Sequence, residues 1–321
     1  MRTAQLEQLR LAAGAGRPID GKLALAVLRA GTGDLPDIMA AANRVRRRFF
    51  GDRLHHCSII NAKSGACGED CAFCAQSARH ATHVATYGLR SPARIRAARR
   101  IASGDPVERF GIVTSGGALG PRDLAQVIKT IKGAGQHGPA WCGSLGAITG
   151  GALRELRAAG LRRYHHNIET SEAFFPRICS THTFAERIAM LRTIRRAGLQ
   201  VCSGGILGMG ETDVDRVAMA LALARERVDS IPLNFLVPVP GTRLAKRPIL
   251  QPLTILKIIA MFRLTNPRAE IKVAAGRLHL RDLQAMVFYA GATGIMIGDL
   301  LTIAGRPVAQ DVQMLRDLGF Q

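Results

Sequence analysis

The chain has 321 residues, 47% hydrophobic and 21% charged, which suits one large globular unit or two ordinary ones and excludes disordered, collagenous and fibrous classes. Its formal charge of +20 comes from 44 Lys and Arg against 24 Asp and Glu, and only seven of those cations are Lys. Such a surface attracts polyanions, but aromatics are 5% of the chain and the basic residues are scattered, which argues against specific nucleic-acid binding.

In chain order, residues 1–50 read as helical, with Leu6, Leu9, Leu11, Ile38, Met39 and Val45 facing inward and Arg46, Arg47 and Arg48 outward. This is the expected N-terminal helical extension of a domain whose main body spans 51–321. There, short apolar runs rich in Val and Ile alternate with longer helical patterns, as a parallel sheet with crossover helices requires. Eight runs stand out, at 57–61, 110–115, 140–145, 164–169, 201–206, 231–236, 271–275 and 294–297. The helical pattern at 184–197 is representative, with Thr183 as its cap and Gly198 closing it. Eight strands with eight helices predict an α/β fold, a (β/α)8 barrel of TIM type. No low-complexity linker or close repeat divides it, so one domain is expected.

Seven cysteines, an odd count unevenly spaced, do not make a disulfide scaffold in a chain this long and fit a reducing interior. The first twenty residues lack the apolar stretch of a signal peptide, and no run of about 18 apolar residues occurs. A cytoplasmic protein with no membrane partner is expected.

The first strand runs into SGACGEDCAFCAQS, which places Cys67, Cys71 and Cys74 on a loop at the carboxyl end of a barrel strand, where barrel active sites are built. Three thiolates within eight residues can converge on one soft metal centre, zinc or iron–sulfur. A structural zinc needs a fourth ligand, for which His80 and His83 are nearby candidates. A [4Fe-4S] cluster on three thiolates keeps one iron open to a small molecule.

This C-x3-C-x2-C spacing resembles the signature of the radical S-adenosylmethionine (SAM) superfamily. The resemblance implies that SAM binds the open iron and is cleaved reductively to a 5′-deoxyadenosyl radical. Phe73 matches the aromatic position beside adenine, and Ser115, Gly116 and Gly117 match the contact with the methionine amine. Gly204, Ile206, Gly208 and Glu211 of GGILGMGE match the adenine-side pattern.

Longer stretches resemble the biotin synthase family: IINAKSGACGEDCAFCAQS, YHHNIETSEAFF, VCSGGILGMGET, IPLNFLVPVPGT and FYAGATGIMIGDLLT. The family implies hydrogen abstraction from two carbons of dethiobiotin and insertion of sulfur between them. By that resemblance Asn167 and Asn234 meet the substrate, and Glu169 holds the ribose hydroxyls of SAM. Adjacent His165 and His166 cannot both face the barrel interior, and a structural role is expected for them.

The resemblance also implies a second, sulfur-donating cluster held by three cysteines and an arginine, [2Fe-2S] in the better-known form. Cys142 and Cys202 match two of these cysteines, but Gly111 stands at the third and Lys272 at the arginine. An auxiliary cluster of different ligation, with Cys179 or a non-protein ligand, externally delivered sulfide and a changed reaction are the three ways to reconcile this. Cys57 and Cys179 have no assignment from sequence. The low-potential electron implies a flavodoxin or ferredoxin donor, and a homodimer is expected. The alternatives are another enzyme of this build, such as a lipoyl-type sulfur insertase or a cofactor maturase, and, from a different class, a zinc-stabilised barrel binding RNA.

Overall fold

Short Val- and Ile-rich segments bounded by glycine and polar turns suit strands buried on both faces, and every ladder they form is parallel. In the computed structural model, which describes residues 1–135 and 137–320, these strands are β1 (Cys57–Lys63), β2 (Arg109–Thr114), β3 (Ala140–Ser144), β4 (Arg163–His165), β5 (Gln200–Cys202), β6 (Gly205–Leu207), β7 (Ser230–Phe235), β8 (Glu270–Val273) and β9 (Gly294–Ile295). The order is β1-β2-β3-β4-β5-β7-β8-β9, with β6 also on β7. A bridge between Cys57 and Met296 closes the ring, and Ile297 N–H donates to the Cys57 carbonyl at 2.8 Å.

The run expected at 201–206 is broken into β5 and β6. The cause is local: the Asn167 side chain takes the Gly204 N–H at 3.0 Å, so that amide leaves the ladder. The barrel is therefore the expected eight-stranded one, with its fifth strand in two halves.

Outside the strands lie α4 (Pro92–Ala102), α5 (Pro121–Lys132), α6 (Gly150–Ala159), α7 (Phe184–Arg196), α8 (Asp213–Arg225) and α9 (Pro252–Thr265). Capping follows the sequence: Thr183 with Glu186 and Thr212 with Asp215 form capping boxes, and Gly198 after α7 takes φ 76°. The seventh crossover departs from expectation. It is a 3-10 stretch (Arg277–Ala285) kinked at Arg281, followed by the one-turn α10 (Met286–Tyr289). Buried Arg277 starts this segment and is tied to Asp311 on the last helix, α11 (Val308–Asp317), at 2.6 and 2.9 Å.

The first fifty residues form α1 (Thr3–Ala15), α2 (Gly21–Leu28) and α3 (Leu35–Phe50), which pack on one another and on α8 and α9. Leu9, Ile38 and Val45 are buried as expected, whereas Leu11 is 61% exposed. Arg46 is turned in, not out. Its guanidinium donates to Asn43 Oδ1 and to the Gly51 carbonyl, each at 3.0 Å, and lies over the Phe320 ring.

Candidate functional site

The carboxyl ends of β1, β2, β4, β6 and β7 gather the three-cysteine loop and the glycine-bearing segments at one mouth of the barrel. Cys67 and Cys71 are buried and Cys74 half-buried. The loop is closed on itself by Cys67 N–H to the Gln76 carbonyl at 3.1 Å and Ala78 N–H to the Cys67 carbonyl at 2.8 Å. The N–H groups of Gln76 and Ser77 point at the Cys74 sulfur and oppose the burial that pushes its thiol up to about 11. Cys74 lies within electrostatic reach of both Cys67 and Cys71, and thiols so gathered, with N–H donors aimed at one sulfur, fit an iron–sulfur cluster.

Segments from other strands anchor this loop. Ser115 Oγ donates to the Gly65 carbonyl at 2.7 Å, Gly116 takes φ 106°, and a Cβ at Gly117 would stand 2.5 Å from Glu69 Oε1. The β2 end thus lies close against this loop, and a side chain at Gly117 would displace the Glu69 carboxylate. Below the loop, Cys71 and Ala72 pack with Phe174, Phe175, Ile178 and Met209 in a small second core. Phe73 and Ile206, both half-buried, lie against the same core. The two candidate adenine-side residues therefore share one apolar wall.

Glu211 is placed differently from what a direct ligand contact would need. Its carboxylate accepts from Gly208 N–H at 2.8 Å, Gly210 N–H at 3.1 Å and Arg216 Nε at 2.8 Å. Glu211 thereby holds the Gly208 turn, where φ is 97°. Gly204 and Gly205 are demanded by packing, since a Cβ at either would collide with the carbonyl of Pro232 or Glu169.

Glu169 is a non-glycine residue at φ 66°, a conformation that costs energy and is held here by Ile206 N–H donating to its carbonyl at 2.9 Å. Burial raises its carboxyl pKa, opposed by Arg187, His165 and the Asn167 amide. Asn167 Nδ2 donates to Glu169 Oε2 at 3.2 Å. Asn234 Nδ2 donates to the Gly205 carbonyl and its Oδ1 accepts from Ala275 N–H, each at 3.2 Å. Each amide thus spends one donor and one lone pair on the barrel and keeps one of each.

His80 Nδ1 faces the Cys74 carbonyl at 2.9 Å, and among the described residues neither His80 nor His83 falls in a set of three groups close enough to share one ion. Among the described residues, the set close enough for a single ion is Cys71, Cys179 and His182. Cys71 and Cys179 sulfurs are 3.8 Å apart, and Cys179 also donates to Asp70 Oδ1 at 3.2 Å. That location, outside the barrel, removes Cys179 from any role beside Cys142 and Cys202.

Deeper in the barrel, inward side chains form layers. Gly111 is the register partner of both Ile59 and Cys142, and Lys272 lies on β8. Lys272 Nζ reaches Cys57 Sγ at 2.8 Å across the interior, a contact that sequence reading missed because 215 positions separate the two. Burial pushes the Cys142 thiol up to about 12, Cys57 adding to the shift and Arg163 and Arg109 opposing it. His165 Nδ1 lies 3.4 Å from Cys202 Sγ, and burial lowers that imidazole to about 4, which keeps it neutral. The neighbouring His166 is likewise lowered by burial, so neither imidazole carries charge at neutral pH.

Comparison with known proteins places these features. Residues 62–223 match the Radical SAM superfamily model, and residues 232–321 match the Biotin and Thiamin Synthesis associated domain. The chain is 47% identical over 305 residues to a biotin synthase of Maridesulfovibrio salexigens, covering 95% of this chain and 93% of that one. It is 45% identical over 316 residues to a biotin synthase of Heliobacterium modesticaldum, covering 98% and 97%. Among solved structures, methylornithine synthase superposes with a TM-score of 0.84 at 19% identity, over 98% of this chain and 96% of that one, a likeness of fold alone.

Proposed function

The chain belongs to the biotin synthase family, and from that premise we propose that this mouth converts dethiobiotin to biotin by radical insertion of sulfur. The observation that carries the reading is the three-cysteine loop tied to the glycine-bearing end of β2, together with two half-satisfied amides at the ends of β4 and β7. When bound, the [4Fe-4S] cluster and SAM supply the 5′-deoxyadenosyl radical, and an auxiliary iron–sulfur centre supplies sulfur. In that way two carbon–hydrogen bonds of the substrate are replaced with two carbon–sulfur bonds, while the chain's own residues bind and orient it.

The protein's own share is holding and orienting. Cys67, Cys71 and Cys74 hold the cluster through deprotonated sulfur, so loading releases protons. Ser115, Gly116 and Gly117 form the methionine side. Phe73, Gly204, Ile206 and Gly208 line the adenine side, with Glu211 fixing the turn, and Glu169 offers acceptors to vicinal hydroxyls. Asn167 and Asn234 each present a free N–H and a free lone pair, the pattern a cyclic urea can meet from both faces. Cys142 and Cys202 hold the auxiliary centre.

The reading needs an electron donor, and we assign that part to a flavodoxin or ferredoxin meeting a homodimer in the cytoplasm. All seven cysteines are free thiols, which suits a reducing compartment. No helix among the described residues is long and apolar enough to cross a membrane.

The test is anaerobic reconstitution with iron and sulfide, then reduction in the presence of SAM and dethiobiotin. Biotin and 5′-deoxyadenosine are expected together, and both vanish in Cys74→Ala. If 5′-deoxyadenosine forms without biotin, the substrate assignment falls while the radical chemistry stands; a lipoyl-type acceptor is then the substitute to assay.

A further inference from the structure

The inner layer of the barrel is short of negative charge. Arg163 donates to both oxygens of Glu270 at 2.6 and 2.8 Å, Lys272 lies 3.0 Å from the same carboxylate and Arg109 3.9 Å. Three cations thus face one anion, with the Lys272 and Arg163 side chains only 3% and 2% exposed. Buried charge without a partner costs several kcal/mol. Arg109 Nε is in addition buried with no hydrogen-bond partner.

Three thiols border these cations. Lys272 Nζ donates to Cys57 Sγ at 2.8 Å, Cys142 lies within electrostatic reach of Cys57, Cys202, Arg109 and Arg163, and Cys202 within reach of Arg163 and Lys272. An iron–sulfur centre bound by thiolates is a net anion, so the cation excess fits it. We propose that Cys57 is the third protein thiolate of the auxiliary iron–sulfur centre, beside Cys142 and Cys202, and that Lys272 serves that centre as a hydrogen-bonding cation and not as a ligand. This rests on the sulfur-insertion reading, which requires such a centre.

Competing third ligands are disposed of by geometry. Gly111 has no donor, and a Cβ there would already stand 3.0 Å from Ile59 Cγ2, so β1 fills the place that β2 leaves empty. Cys57 lies two residues before Ile59 on β1, so the two side chains share one face of the sheet. Cys179 is engaged outside the barrel with Cys71 and Asp70. Lys272 has both Glu270 and Cys57 as acceptors for its ammonium, which carries no lone pair to offer a metal.

The experiment uses the full chain with Cys67, Cys71 and Cys74 all replaced by Ala, which leaves the inner site alone to take up iron. Iron and sulfide content and Mössbauer spectra after anaerobic reconstitution are the readouts, with circular dichroism and apoprotein melting as checks on folding. Cys57→Ala, Cys142→Ala and Cys202→Ala are each expected to lose the inner iron or leave it at a small residue. The isosteric Cys57→Ser is expected to keep the fold and show a changed or absent spectrum. Lys272→Gln is expected to retain iron with a shifted spectrum. Full iron and an unchanged spectrum in both Cys57 variants, with loss in the other two, overturns the assignment of Cys57 and leaves the inner centre standing. Full iron in all three alanine variants overturns the inner centre and the sulfur source with it.

Discussion

At the scale of single residues, Cys71 is paired with a neighbour whose role shows only when iron is absent. With sulfurs 3.8 Å apart, Cys71 and Cys179 need a small side-chain rotation to reach the length of about 2.05 Å of a disulfide. Chelation of the iron followed by a thiol oxidant such as diamide is expected to link them, with two protons and two electrons passing to the oxidant. Peptide mapping by mass spectrometry is expected to find the 71–179 pair. Cys179→Ser leaves Cys71 free, and its apoprotein reloads after the same treatment without added reductant. Full reloading of the oxidised parent without reductant would refute this. The three-cysteine motif was legible in the sequence because its spacing is local, whereas the neighbour of Cys71 comes from a loop 108 positions away.

At the scale of elements, the Arg163–Glu270 pair ties β4 to β8 across the interior. Glu270→Gln leaves two buried cations, Arg163 and Lys272, and the half-buried Arg109 without a carboxylate and is expected to destabilise the apoprotein by about 3–5 kcal/mol, read as a lower Tm. Burial works against the Glu270 charge, but Arg163, Lys272 and Arg109 outweigh it and hold the carboxyl well below the usual range. Its contribution is therefore complete above the ordinary Glu value of about 4.3 and is lost as pH falls towards the native one. The Tm gap between parent and Glu270→Gln should narrow between pH 7 and roughly pH 3; a constant gap would place the stabilisation elsewhere. The alternation of strands and helices was legible from apolar runs and caps such as Thr183. The split between β5 and β6 was not, because it is a side chain of a different strand end, Asn167, that removes Gly204 from the ladder. Nor was the kinked seventh crossover, whose Arg277–Asp311 tie spans two distant segments. Arg46 was misjudged for a similar reason: helical spacing put it outside, but the Gly51 carbonyl and the Phe320 ring that draw it in lie beyond the helix.

For the whole molecule, the formal charge of +20 acts on partners before contact. Arg79 and Arg243, both exposed, donate to carbonyls of Gly68 and Asp70 on the cluster loop, and exposed Lys246 and Arg247 follow along the same rim. With the proposed flavodoxin or ferredoxin as an acidic donor meeting this rim, Lys246→Glu with Arg247→Glu is expected to slow cluster reduction about tenfold at low ionic strength. Stopped-flow rates should converge with the parent near 1 M salt, where the screening length is about 3 Å. Equal rates at low salt would show that the donor docks elsewhere. Composition alone gave the sign of this field but not its direction, since an arginine-rich chain scatters charge on every helix.

The backbone of Cys57 seals the ring against Met296, while its sulfur faces Lys272. One residue therefore joins the first strand to the last and also lines the chamber. During synthesis this wall cannot be complete until the ribosome has delivered the chain beyond residue 296, so on the proposed assignment the inner centre is expected to load only onto a finished cylinder.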